Sequence, residues 1–142
     1  YCMKKYILII FFLFSNYAMS ETINIKMLNK LGKERMVYSE KIVRINVGDE
    51  IFWESTDKGH NVEFIKGGIP EGVEIFKSKI NEDVSYKFTI PGIYAYWCTP
   101  HKSLGMIGFV VVDGDKSNLE KIKQLRFFGQ SKKLAKKLID QL

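Results

Sequence analysis

Cysteine and histidine are scarce in this sequence, with two of each in 142 residues, and proline occurs only three times. One of the cysteines, Cys2, lies in an N-terminal stretch that reads as a targeting segment. Lys4 and Lys5 form a positive start, Tyr6 to Phe14 is an unbroken apolar run, and Ala18-Met19-Ser20 offers the small residues a signal peptidase reads. Residues 1–20 are therefore expected to be a signal peptide, cleaved before Glu21, on an exported protein. Tyr1 and Cys2 precede Met3, the first candidate initiator. Cleavage leaves Cys98 as the one cysteine, which excludes an intrachain disulfide in a compartment where paired cysteines normally become bridged. Such a cysteine is buried and inert, reactive, or a metal ligand. No apolar run approaches the about 20 residues of a membrane-spanning helix. Internal repeats and low-complexity tracts are absent.

What is present suits one packed domain. The chain is 46% hydrophobic and 13% aromatic, enough for a core rather than disorder. Its formal charge of +6 falls to +4 once Lys4 and Lys5 leave with the signal segment. Short runs of period two predict strands over Ile23 to Leu28, Met36 to Tyr38, Ile42 to Val47, Glu50 to Ser55, Asn61 to Ile65, Val84 to Thr89, Ile93 to Trp97 and Ile107 to Val112. Gly48-Asp49, Gly67-Gly68, Pro70, Gly72 and Pro91-Gly92 punctuate them. The fold class is mainly β, a sandwich or barrel over residues 21–114, followed by a helical extension over 115–142. Ser117-Asn118-Leu119-Glu120 reads as a capping box, with Leu119, Ile122 and Leu125 on one helix face and Gly129 as its break. Leu134, Leu138 and Leu142, with Ala135 and Ile139, form the apolar stripe of a second helix. Its other face carries Lys132, Lys133, Lys136 and Lys137, read as a solvated face on a helix packed against the sandwich.

The chemistry concentrates in Cys98-Thr99-Pro100-His101-Lys102-Ser103-Leu104-Gly105-Met106, between two predicted strands. A thiol, an imidazole and a thioether stand at spacing Cys-x2-His-x4-Met. The other histidine, His60, lies in Asp57-Lys58-Gly59-His60-Asn61-Val62-Glu63. Thiolate and thioether favour copper over magnesium or calcium, and two His with one Cys and a weak axial Met is the ligand recipe of a blue-copper centre. The expected ligands are His60, Cys98, His101 and Met106, around one copper ion cycling between Cu(I) and Cu(II). Asn61 follows a ligand and could tie its strand to the ligand loop. Pro100 has no N–H and cannot donate to the Cys98 sulfur.

These stretches, together with Ile69-Pro70-Glu71-Gly72 and Phe76-Lys77-Ser78-Lys79-Ile80-Asn81-Glu82, resemble the pseudoazurins, small periplasmic blue-copper proteins of the cupredoxin family. The resemblance runs from about Ile23 to the C-terminus. It implies a cupredoxin-like Greek-key β-sandwich with two C-terminal α-helices, and an electron carrier rather than an enzyme. It also implies an Asn61 backbone N–H aimed at the Cys98 sulfur, and a His101 ring edge exposed in an apolar patch for which Ile69, Pro70, Pro100 and Leu104 are candidates. Lys30, Lys58, Lys77 and Lys79 match positions of a docking ring of lysines, and Lys102 adds one within the loop. The implied partners are redox proteins: copper nitrite reductase or nitrous oxide reductase, and c-type cytochromes as donors. The sequence departs from the family pattern at Trp97, commonly lysine, at Lys102, often aromatic, and at Leu104, often Met.

Two other readings use the same residues. A thiol enzyme would take Cys98 as nucleophile and His101 as base, leaving His60 and Met106 unexplained. A zinc or copper storage protein is the other, although zinc has little use for a thioether.

Overall fold

The computed structural model describes residues 19–142. The expected signal peptide therefore lies almost entirely outside the described residues, as do Tyr1 and Cys2. Eight strands form two four-stranded sheets. They are β1 (Thr22–Leu31), β2 (Glu34–Tyr38), β3 (Ile42–Ile45), β4 (Glu50–Glu54), β5 (Glu63–Phe64), β6 (Val84–Lys87), β7 (Gly92–Trp97) and β8 (Ile107–Val112). One sheet has the order β2-β1-β4-β6 and the other β3-β8-β7-β5. Between β2 and β7 every connection changes sheet. Two pairs, β1 with β4 and β3 with β8, run parallel, which only such crossovers permit. Two helices follow, α1 (Leu119–Lys123) and α2 (Ser131–Ile139).

β7 and β8 explain how the chain covers both faces of one sheet. Tyr94, Tyr96, Val110 and Val112 point into the core between the sheets, against Ile25, Met27, Tyr38, Ile51 and Trp53. The alternate residues Ile93, Ala95, Phe109 and Val111 point outward into a second core roofed by Ile122, Phe127, Ala135, Leu138 and Leu142. A sheet covered on both faces reads as a continuous apolar run rather than an alternation, as Gly92 to Trp97 and Ile107 to Val112 do. On α2, Ala135 and Leu138 are buried and Leu134 and Ile139 half-buried, with Leu142 buried just beyond the helix, while Lys132, Lys133, Lys136 and Lys137 stay exposed. No helix among the described residues is long and apolar enough to cross a membrane.

Several boundaries move for identifiable reasons. The predicted strand Ile42 to Val47 stops at Ile45, because Asp49 accepts the Asn46 N–H and Asp113 accepts that of Val47. Asn61 to Ile65 shrinks to Glu63–Phe64, because Val62 bonds the Ser78 side chain instead of a ladder partner. The capping box does not form. The Asn118 amide is turned to the backbone of Ile93, accepting its N–H at 2.9 Å and donating to its carbonyl at 2.8 Å. α1 has no side-chain cap and ends before Gln124, well short of Gly129.

Candidate metal centre

Strand parity sets the first donor. Tyr94, Tyr96 and Cys98 alternate to the inner side of β7, so the thiol enters the sandwich core and Cys98 is fully buried. A single tight turn, Thr99–His101, carries Pro100 as its second residue and brings His101 back over the thiol. The loop closes when the Cys98 N–H donates to the Met106 carbonyl at 3.0 Å. Met106 is fully buried in the same core cluster as Cys98.

The second histidine arrives from the loop between β4 and β5. Gly59 precedes it at φ +95°, a conformation other residues adopt only with strain, and its N–H donates to the Asn81 side chain at 2.6 Å. His60 Nδ1 lies 3.1 Å from His101 Nδ1 and 3.8 Å from Cys98 Sγ, and His101 Nδ1 lies 3.5 Å from that sulfur. Donors bonded at about 2.0–2.3 Å to one ion sit roughly 3–4 Å apart, so these three atoms fit a single metal. They are the one such His/Cys/Asp/Glu group among the described residues.

Each histidine is biased toward its neutral form. Burial lowers the His60 pKa, His101 beside it lowers it further, and Asp57 pulls weakly the other way; burial also lowers His101. His60 Nε2 sits 2.8 Å from Asn29 Oδ1. An N–H donated there leaves the Nδ1 lone pair aimed at the metal position. Burial pushes the Cys98 thiol up, while the backbone N–H groups of Asn61 and His101 pull it down by stabilising the thiolate. A buried thiol with a raised pKa is the opposite of a reactive cysteine, which disfavours the thiol-enzyme reading. A metal must displace that proton.

Asn61 joins the two ligand loops. Its side chain accepts the Thr99 N–H at 2.7 Å and donates to the Thr99 hydroxyl at 2.8 Å and the Ser78 carbonyl at 3.2 Å. Its own carbonyl accepts the buried Tyr38 hydroxyl at 2.7 Å. From the other side the C-terminal extension grips the loop. Gly105 donates to Ser131 Oγ at 2.9 Å, and Gln130 donates to the Ser103 carbonyl at 2.9 Å. Gly129 fits because a Cβ there would stand 2.6 Å from the Ser103 oxygen. Asn29 and Ser131 carried no signal in the sequence, since neither lies in a motif with a ligand.

His101 is the one nitrogen or sulfur donor of the group that is not fully buried. Pro100 and Leu104 are exposed beside it in the chain. Pro70 is not part of that surface. It is buried against Gly92, at the opposite end of β7 from Cys98, and Ile69 packs on the core. Lys30, Lys58, Lys77, Lys79 and Lys102 are all exposed. Lys77 and Lys79 border a shallow groove floored by Asn61 and Thr99. Lys30 adjoins Asn29, and Lys58 adjoins Gly59. Lys102 lies 5.4 Å above the rings of both Trp97 and Phe128, a cation–aromatic stack. The departure at Trp97 is thus accommodated on the helix side of β7, against Phe127 and Phe128.

Residues 25–113 match the family model of copper binding proteins of the plastocyanin/azurin family. The chain is 38% identical over 125 residues to a pseudoazurin of Methylorubrum extorquens, covering 88% of this chain and 82% of that one. It is 48% identical over 102 residues to the pseudoazurin of Paracoccus pantotrophus, covering 72% and 70%. The crystal structure of pseudoazurin from Methylobacterium extorquens AM1 superposes with a TM-score of 0.81 at 37% identity, covering 84% of this chain and 98% of that one.

Proposed function

The chain belongs to the plastocyanin/azurin family of copper-binding proteins, and we propose that it is a periplasmic carrier whose copper is held by His60, Cys98, His101 and Met106. As a member of that family it is a one-copper electron-transfer protein, not an enzyme, and it works with redox proteins. The observation that carries the ligand assignment is the convergence of two imidazole Nδ1 atoms and a buried Sγ within 3.8 Å of one another, with Met106 closing the same loop. Bound copper supplies the Cu(I)/Cu(II) couple, in which one electron enters or leaves without a bond being made or broken.

The chain's own contribution is rigidity. Hydrogen bonds from Asn29, Asn61, Asn81 and Ser131 hold the two loops in place. A site that keeps one geometry in both oxidation states has little to reorganise during transfer. Electrons pass at the half-exposed His101, beside Pro100 and Leu104. The exposed lysines Lys30, Lys58, Lys77, Lys79 and Lys102 steer acidic partners and chiefly raise the association rate. Residues 1–20 direct export and are removed, and 21–114 with 115–142 fold as one domain. The physiological partners are a c-type cytochrome as donor and nitrite or nitrous oxide reductase as acceptor. Stopped-flow mixing tests this reading. The oxidised copper protein should lose its colour on mixing with reduced c-type cytochrome and regain it with nitrite reductase. A normal copper spectrum with no electron exchange with any of these partners would remove the denitrification reading.

A further inference from the structure

Glu63 opens β5 three residues after His60 and lies outside the donor group. Its Oε2 accepts the Thr99 hydroxyl at 2.6 Å and Trp97 Nε1–H at 3.3 Å, with the Lys77 ammonium 4.0 Å away. The Thr99 bond is short and charge-assisted, the stronger kind. The Lys77 contact is long and half exposed, the kind worth little. A hydroxyl has one proton to give. With that proton committed to Glu63, the Thr99 oxygen can only accept, and it accepts Asn61 Nδ2–H at 2.8 Å. Asn61 Oδ1 in turn faces the Thr99 N–H at 2.7 Å. Reversing the Asn61 amide would set N–H against N–H there, and would set oxygen against a hydroxyl whose proton is already used. The carboxylate thereby fixes the direction of each hydrogen bond along Glu63, Thr99 and Asn61. The backbone N–H of Asn61 is one of two that stabilise the Cys98 thiolate.

We propose that Glu63 is a positioning residue for electron transfer: through Thr99 it locks Asn61, and so holds the backbone of the His60 loop against that of the Cys98 loop. The proposal rests on the reading of Cys98 as a copper ligand. It also gives Trp97 a role, because the indole N–H anchors the same carboxylate from the outer face of β7. The link then runs from a side chain stacked under Lys102 to the ligand sulfur.

Two substitutions separate positioning from simple charge. Glu63→Asp keeps the negative charge but shortens the reach to Thr99. Glu63→Gln keeps the reach and an acceptor oxygen but removes the charge. Two readouts are taken, the reduction potential of the copper-loaded protein and amide exchange of Asn61 in the copper-free protein. Glu63→Asp is expected to speed Asn61 exchange by roughly tenfold, the scale of a weakened charged hydrogen bond. It is also expected to lower the potential, because a sulfur with less hydrogen bonding donates more strongly and favours Cu(II). Thr99→Val breaks the same link and should move both readouts in the same directions. If Glu63 acted only as a charge, Glu63→Gln would raise the potential and Glu63→Asp would match the parent protein in both readouts. That second pattern overturns the proposal. The visible spectrum of the parent protein reports separately on whether Cys98 binds copper at all.

Discussion

The hydroxyl of Ser131, the first residue of α2, accepts the N–H of Gly105 at 2.9 Å. Gly105 immediately precedes Met106, so a helix beyond the sandwich holds the end of the ligand loop. Ser131 is fully buried, and no water can replace its oxygen without rearrangement. Ser131→Ala leaves a buried N–H unsatisfied. The copper-free protein is expected to lose about 1–3 kcal/mol of stability, measured by urea unfolding with an unchanged slope. Unchanged stability together with unchanged Gly105 amide exchange would show that the clamp holds nothing.

The copper-free protein should be most stable between two titrations. His60 and His101 have folded pKa values below their ordinary 6.5. Below that value the unfolded chain binds more protons than the folded one, so stability falls as the pH drops through and below 6.5. Cys98 has a folded pKa above its ordinary 9.0. Above 9.0 the unfolded chain releases a proton that the folded chain retains, so stability falls again. Denaturant midpoints across pH 5 to 10 measure the profile. In His60→Gln combined with His101→Gln, the acid side of the profile should flatten.

Much of the site was legible because its donors are so few. With two histidines and one cysteine among the described residues, the ligand recipe of a copper site grouped His60, Cys98 and His101, and they lie within hydrogen-bonding range of one another. What could not be read was contact between segments remote in sequence. Asn29 reaches His60 from β1 because β1 lies beside β4 in a parallel pair, an arrangement that local periodicity does not encode. Asn118 looked like part of a helix cap, yet its amide bonds the backbone of β7. Pro70 was placed near His101 from its position in a motif, but the close approach of Pro70 to Gly92 puts it at the other end of the strand.

Lysine steering has a salt signature. Lys58→Glu with Lys79→Glu reverses two exposed charges flanking the loops of His60 and Asn61, without touching the Lys77–Glu63 contact. Electron transfer to an acidic partner should slow most at low salt, and the deficit should shrink above about 0.1 M ionic strength, where the screening length is about 10 Å. Stopped-flow rates across a salt series measure it. Equal slowing at low and high salt would make these lysines ordinary surface charges.

Pro100 withholds a backbone donor at the start of the turn Thr99–His101. The backbone N–H groups of Asn61 and His101 already favour the thiolate, and the His101 N–H donates to the Cys98 carbonyl at 3.0 Å. Pro100→Ala adds one more N–H in nearly the same backbone frame, drawing density from the sulfur and weakening its donation to Cu(II). The reduction potential should rise by about 59 mV, equivalent to about 1.4 kcal/mol for one electron and within the range of one hydrogen bond to a charged group. Cyclic voltammetry measures it. An unchanged or lower potential, with the new bond visible in a crystal structure, would refute the effect.

The most direct test of the whole account is the visible absorption spectrum of the Cu(II)-loaded protein, measured beside that of Cys98→Ala. The thiolate is the strong charge-transfer ligand, so the parent protein should show an intense visible band that bleaches on reduction. In Cys98→Ala the band should be absent while the fold is retained. Intense visible absorption persisting in Cys98→Ala, or missing from the copper-loaded parent, would contradict the assignment of Cys98 as the ligand through which this protein binds and discharges its copper.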